Sequence, residues 1–382
     1  MKLTVKGKHL ETALKLVARA LPRRTMLPIL KNVHLEVKGN YLQLLGTDLE
    51  AVLSVVIRGS DGEDGAVTIP PKALQETLKG RTGGVTIQGT SQPVGLSVSL
   101  GGGTVQINGV DAAEFPPTPP PETPVATLHT GVLLKGITQC LHGVASNYDR
   151  SVLTALCTDI WESGGMKIAT ADGYRLCVYE TGVQEGEPVR FLVPSSSAKL
   201  LQTALKELAP ESVTVTCQRG KQEIATDVGF ALLPTKTKTG IVRASLVSRV
   251  VAGSYPGYES LVSTKHDTEV IVGRNALLEA VKAAQPFAND GSGIVRLVAE
   301  NKTLTVSAKA EELGSYSQDL AAEVKGKPGK IALNVKYALE ALAVFSGANV
   351  SLELTAPGSP MVWRDPDDPD YLDVIMPMFV QW

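Results

Sequence analysis

At 382 residues the chain is long enough for two or three domains, and 43% apolar with 20% charged residues is the balance of an ordinary globular protein. No apolar run is long enough to cross a bilayer, and the amino-terminal MKLTVKGKHLE lacks the apolar stretch of a signal peptide, so a cytoplasmic protein with no membrane partner is expected. A net charge of −2 argues weakly against nucleic acid, but where the charges fall matters more than their sum.

The first predicted helix, residues 7–21, carries Leu10, Leu14, Val17 and Leu21 on one stripe and Lys8, Glu11, Thr12, Lys15 and Arg19 opposite. Val33, Leu35 and Val37 then alternate with His34 and Glu36, as a half-buried strand does. A second helix is predicted over 69–80, followed by period-two text at 85–87, 96–100 and 105–107. Six prolines within 115–124 make a semi-rigid spacer. The order then returns twice, with helices at 130–145 and 193–208 and strands at 213–216 and 228–233, then helices at 273–288 and 333–345 and strands at 304–306 and 350–354. Starts of the second helix type lie about 124 and then about 140 residues apart, too far for a solenoid, so each copy is domain-sized. The reading is an α+β fold of three tandem copies, 1–124, 125–262 and 263–382, each with two helices backed by two antiparallel sheets. Residues 365–373 (DPDDPDYLD) match the linkers in position, and without ligand spacing or a glycine turn their carboxylates are read as a solvated loop rather than a cation site.

The six helical segments hold eleven basic and five acidic residues, a net +6 against −8 for the rest of the chain. Lysines on one helix would simply solvate it; the same bias on all six, with the compensating charge elsewhere, makes a surface attractive to phosphates. On the fourth helix Lys199, Gln202, Thr203 and Lys206 form a basic, hydrogen-bonding face. Arg23 and Arg24, directly after the first helix, are the densest basic pair near any helix. With Lys72, Lys79, Lys135, Lys199, Lys206 and Lys282 they are the expected contacts to nucleic-acid phosphates. Lacking interleaved aromatics and dense arginine, such a surface binds weakly and without regard to sequence.

No catalytic assembly is legible. There is no GxxxxGK[ST] loop, GxSxG elbow or HExxH, and histidines 9, 34, 129, 142 and 266 are scattered. Asp172 in ATADGYRL is read as a turn-forming Asp-Gly. Cys140, Cys157, Cys177 and Cys217 show no CxxC pairing and are expected to be buried free thiols, with no metal or cofactor implied.

Over its whole length the chain resembles the bacterial sliding clamps, the beta subunits of replicative DNA polymerase. The resemblance is carried by MKLTVKGKHL, TMLPILKNVHLEV, LLGTDLEAVL, IATADGYRLCV, VAGSYPGYESL and VIMPM. It implies a head-to-tail homodimeric ring with helices lining the hole, encircling duplex DNA as a processivity factor without catalytic activity. It also implies a pocket for short linear motifs of the polymerase, clamp loader and repair polymerases. The matching positions are Leu153, Ala171, Gly173, Tyr174, Arg175, Leu176, Pro256, Leu261, Pro360, Met361, Val374, Met376, Pro377 and Met378. Methionines and prolines suit an adaptable apolar surface, and Arg175 is placed to bond a peptide carbonyl or carboxylate. For the subunit interface the resemblance points to Val105 and Ile107 against Pro286 and Phe287. Two departures stand out: Ser260 occupies a position where a basic residue is expected, and Phe379 to Trp382 extend past the Met-Pro-Met motif, either over the pocket or along its wall.

The hole sets the number of chains. Helices packed about 10 Å apart make, for twelve, a circle roughly 38 Å across, or about 28 Å clear inside the helices, and for six only about 9 Å. A duplex roughly 20 Å wide needs the twelve. The competing reading is a peptide-binding hub that never touches DNA, which shares the pocket but not the helical charge.

Overall fold

The computed structural model describes residues 1–117, 123–147, 150–161, 165–182, 185–219, 225–233, 240–262 and 265–382. The middle of the predicted proline spacer and the start of the predicted third copy lie outside the described residues. The first copy holds β1 (Lys2–Lys6), α1 (Gly7–Val17), β2 (Val33–Lys38), β3 (Tyr41–Thr47), β4 (Ala51–Arg58), β5 (Ser60–Glu63), β6 (Gly65–Ile69), α2 (Pro71–Leu78), β7 (Gly84–Ser91), β8 (Val94–Leu100) and β9 (Gly103–Asn108). The second holds β10 (Thr123–His129), α3 (Thr130–Cys140), β11 (Ala155–Trp161), β12 (Gly165–Ala171), β13 (Arg175–Gly182), β14 (Glu185–Gly186), β15 (Val189–Pro194), α4 (Ser195–Leu208), β16 (Ser212–Arg219), β17 (Ala225–Leu232) and β18 (Ile241–Arg249). The third holds β19 (Thr268–Gly273), α5 (Arg274–Asp290), β20 (Ile294–Glu300), β21 (Thr303–Lys309), β22 (Ser315–Gly326), β23 (Gly329–Asn334), α6 (Val335–Val344), β24 (Asn349–Leu354), β25 (Met361–Asp365) and β26 (Asp368–Ile375). All six predicted helices and every predicted strand are present. None of the described helices is long and apolar enough to cross a membrane.

The helices form where apolar spacing meets a permissive start. α1 buries Leu10, Ala13, Leu14, Leu16 and Val17, and its first residue has to be glycine, because a Cβ on Gly7 would lie 2.7 Å from the Arg81 carbonyl oxygen. The helix tightens into a 3₁₀ turn over Ala18–Ala20, which takes Leu21 off the stripe and leaves it half-buried. α4 buries Leu200, Leu201, Ala204, Leu205 and Leu208 and ends at Ala209 in the left-handed region, whose N–H closes on the Leu205 carbonyl. Asn334 caps α6 by accepting from Lys336 N–H at 2.9 Å.

The chain divides into two compact units. The first comprises residues 1–134, 160–164 and 183–251; the second comprises 135–159, 165–182 and 252–382. The first unit has one sheet ordered β5-β1-β7-β8-β9 and another ordered β14-β10-β16-β17-β18-β4-β3-β2-β6. Within the second unit the strands run β11-β12-β13-β26-β25-β24-β19-β22-β21-β20-β23. Sheets therefore continue from one copy to the next: β18 pairs antiparallel with β4, and β13 with β26. Thr123 and Pro124, predicted as spacer, already belong to β10, opposite Cys217 and Thr216 of β16.

Residues 365–373 correct the sequence reading. They are no solvated loop but the hairpin of β25 and β26, with Asp365 facing Asp368, and Asp365, Asp368 and Asp373 are buried. Each carboxylate meets donors: Gly347 and Asp367 N–H reach Asp365, Lys135 and Gln139 reach Asp368, and Tyr371 and the His142 ring reach Asp373. Burial of a charge is tolerated where such partners exist. All four cysteines are buried, and none is in a disulfide.

Candidate functional site

The ends of β12, β13, β26 and β25 build a floor in the second unit. Between β12 and β13 the chain turns at Asp172-Gly173: Gly173 has φ +93°, and Asp172 Oδ1 accepts from Tyr174 N–H at 2.9 Å and Arg175 N–H at 3.0 Å. Register then decides which side chains share a face. Ala171 stands opposite Leu176, Leu176 opposite Val374, and Val374 opposite Val362, so these four form one row. One pleat further on the same face come Tyr174 and Met376, joined by Met376 N–H to the Tyr174 carbonyl at 2.8 Å, with Pro360 beside them. Tyr174 is 64% exposed and Met376 38%, an unusual display for side chains of this size.

Arg175, Ile375 and Met361 fall on the opposite face of the same strands, and all three are buried. The Arg175 guanidinium is therefore not offered to the cleft as the sequence suggested. Its Nε bonds Asp172 Oδ2 at 3.0 Å, its Nη1 bonds Glu340 of α6, and it lies 4.4 Å over the Tyr337 ring. Burial works against its charge, but the bond to Glu340 and the Asp172 carboxylate outweigh this and hold it more firmly protonated than usual. It fixes the turn that carries Tyr174.

A second wall comes from residues 252–262. Gly253 passes so close to Val152 that a Cβ there would sit 2.8 Å from Val152 Cγ1, and Tyr255 and Tyr258 meet edge to face with centroids 6.2 Å apart. The buried Tyr255 lies against the Ala171 backbone, and burial pushes its ionisation far upward. This packing leaves Pro256, Ser260 and Leu261 exposed, Leu261 by 47%. Leu153, 5% exposed, is tied back by its carbonyl to Ala145 N–H at 2.9 Å. Of the predicted cleft residues in this unit, Tyr174, Pro256, Leu261 and Met376 are displayed, Ala171, Pro360, Pro377 and Met378 are half-buried, and Leu153, Leu176 and Val374 are buried, while Met361, like Arg175, is turned to the opposite face. Phe379 to Trp382 do not cover it: Met378 N–H bonds the Ala332 carbonyl of β23 at 2.7 Å, and Trp382 packs near Lys330 and Arg296.

Under the floor, the face that carries Arg175 also carries a polar network that no spacing announced. Asp373 Oδ2 lies 2.8 Å from His142 Nε2, 3.1 Å from the Tyr371 hydroxyl and 3.6 Å from Cys177 Sγ. Burial first, and the Asp373 charge second, raise the Cys177 thiol and Tyr371 phenol well above their usual ionisation, so both remain donors.

The expected DNA contacts divide by unit. Arg23, Arg24, Lys72, Lys79, Lys199 and Lys206, all in the first unit, are exposed and have no carboxylate partner among the described residues. In the second unit Lys135 bonds Asp368 at 2.8 Å and lies over the Tyr179 ring, and Lys282 bonds Glu279 at 3.1 Å. At the expected interface, β9 is an edge strand bearing half-buried Val105, but Ile107 is 6% exposed and belongs to this copy's core. Pro286 is exposed, and Phe287 stacks on Tyr316 with centroids 6.1 Å apart.

Tandem α+β copies with basic helices and an apolar cleft define a clamp-type protein. Residues 1–119 match the family model for the N-terminal domain of the DNA polymerase III beta subunit, and residues 259–379 match that for its C-terminal domain. The chain belongs to the DNA polymerase III beta subunit family. It is 27% identical over 369 residues to the beta sliding clamp of Synechococcus elongatus, covering 95% of each chain. To that of Pseudomonas aeruginosa it is 26% identical over 380 residues, covering 99% of this chain and 100% of the relative. Its fold matches a solved Pseudomonas aeruginosa sliding clamp bound to griselimycin with TM-score 0.89 at 25% identity, and the beta subunit from the DNA polymerase of Streptococcus pyogenes with TM-score 0.90 at 18% identity, each over 100% of both chains.

Proposed function

We propose that two copies of this chain close head to tail into a ring around duplex DNA and tether the replicative polymerase to it. The protein is a processivity factor rather than an enzyme, and it acts in the cytoplasm. Three domains, 1–124, 125–262 and 263–382, each contribute two helices to the lining. Arg23, Arg24, Lys72, Lys79, Lys199 and Lys206 meet phosphates without reading bases, and Lys135 and Lys282, already paired, contribute less. The edge of β9 with Val105 meets the partner around Pro286 and Phe287. The cleft of Tyr174, Leu261, Met376 and their neighbours receives linear segments of the polymerase, the clamp loader and repair polymerases. That a sliding clamp of Pseudomonas aeruginosa binds griselimycin supports a ligand site on this fold.

The observation that carries the reading is the set of six exposed cations left, among the described residues, without carboxylate partners, which a peptide hub has no use for. The native mass is expected near twice the 40.4 kDa of one chain. Loaded on a closed circular duplex by its clamp loader, the protein should stay through gel filtration in high salt and leave once the circle is cut. Equal loss from circular and linear DNA, or a monomeric mass, would remove the ring.

A further inference from the structure

The cluster beneath the floor brings three different metal-ligating atoms to one place. Cys177 on β13 and Asp373 on β26 are register partners, so their side chains leave the sheet on one face, and His142 reaches them from the 3₁₀ turn Leu141–Gly143 after α3. That turn can rest on the sulfur only because it ends in glycine: a Cβ on Gly143 would lie 2.5 Å from Cys177 Sγ. His142 Nε2 is then 2.8 Å from Asp373 Oδ2 and 3.4 Å from Cys177 Sγ, and those two are 3.6 Å apart. Hydrogen bonds alone leave the cluster incomplete. Asp373 Oδ1 and His142 Nδ1 are buried and meet no partner among the described residues, and no lysine or arginine among them pairs with Asp373, which is 0% exposed. The charge of Arg175, near Cys177, is already met by Asp172 and Glu340. A carboxylate ionised in such a place is costly without a cation beside it.

We propose that His142, Cys177 and Asp373 form a structural zinc site that ties the end of α3 to β13 and to the last strand, β26. The spacing suits the ion: a point about 2.0 Å from the nitrogen and the oxygen and about 2.3 Å from the sulfur exists for this triangle, with angles at the metal of roughly 90 to 115°, near tetrahedral. The donors suit it too, because thiolate with imidazole selects a borderline-soft ion over magnesium or calcium, which take oxygen ligands. Charge also balances. Zn²⁺ with one thiolate, one carboxylate and one neutral imidazole sums to zero, as a buried site requires. On binding, the Cys177 thiol releases its proton to solvent and its sulfur keeps the electron pair for the metal, while the imidazole binds through Nε2 and carries its proton on Nδ1. Asp373 binds as the carboxylate, with the Tyr371 hydroxyl 3.1 Å from Oδ2 to orient it, and a water completes the tetrahedron. The His142 side chain, 12% exposed, marks the side from which the ion enters.

The test strips the full chain of metal with a chelator and titrates it with Co²⁺, then with Zn²⁺. One Co²⁺ per chain is expected to bind with the near-ultraviolet charge-transfer band of a cobalt–thiolate bond and the strong visible absorption of four-coordinate cobalt. One Zn²⁺ should displace it and raise the Tm by a few degrees. Cys177→Ser should abolish the charge-transfer band, and His142→Gln should weaken Co²⁺ binding by about tenfold or more. Cys140→Ser, at the neighbouring buried thiol, should change neither. Circular dichroism shows whether each variant is folded; if Cys177→Ser is not, His142→Gln, whose side chain reaches the surface, decides alone. A parent protein that binds no Co²⁺, or binds it without the thiolate band, overturns the proposal. So does a band that survives in Cys177→Ser or disappears in Cys140→Ser alone, or full affinity in His142→Gln, each of which would put the metal on other groups.

Discussion

Asp373 has no exposed surface, and three side chains, the His142 ring, the Tyr371 hydroxyl and the Cys177 thiol, converge on one of its oxygens. Removing it takes a buried acceptor from the Tyr371 hydroxyl and breaks the contact to the His142 ring. Asp373→Ala is therefore expected to lower the free energy of unfolding by roughly 3 kcal/mol, and Asp373→Asn by less, since an amide still accepts. Urea denaturation checks it, and parent-like stability of Asp373→Ala would show that the network is slack. None of this was readable in the sequence: His142 lies 231 residues from Asp373, and proline with aspartate reads locally as loop. Arg175 differs. Tyr174 and Leu176 flank it at strand period, so its place on the opposite face was legible in principle, and the resemblance to a peptide-contacting position concealed it.

β26 also carries a pH dependence. Burial works to raise the Asp368 carboxylate, but hydrogen bonds from Lys135 and Gln139 overcome it and hold the group below its ordinary value. A depressed carboxylate stabilises the fold fully above the unfolded value, about 3.9, and loses that contribution as the pH falls through the folded one. Asp368→Asn should therefore be less stable than the parent at neutral pH and converge on it in acid; a constant gap between the two Tm curves from pH 7 to pH 3 would disprove the linkage. Helices contribute differently. Lys15 on α1 is engaged by Glu11, and Arg19 in the 3₁₀ turn after it by Glu207, while on α4 Lys199 and Lys206 have no such carboxylate among the described residues. Neutralising Arg24, Lys199 and Lys206 together is expected to flatten the slope of log affinity for duplex DNA against log salt by about 0.9 per lost phosphate contact. An unchanged slope would leave the peptide hub as the better reading. Helix spacing exposed these faces to sequence reasoning, but which cations are neutralised depended on partners far along the chain, such as Glu207 for Arg19 and Asp368 for Lys135.

At the scale of the whole chain, tandem repetition was plain from the order of helices and strands. The grouping of the copies was not, because strand edges that pair across a copy boundary leave no local signature. β18 meets β4 over a register from Ile241 opposite Ile57 to Ser248 opposite Ala51, and neither strand announces its neighbour. That ladder has a consequence for how such a chain could arise. Cut between the copies, β4 would be left as a long bare row of amide and carbonyl groups, the template on which unrelated chains stick and grow into aggregates. Fusion in tandem covers that row with kin. A copy that once had to guard its own flank with charge or proline is released from the need, and by the same step it becomes unable to live alone.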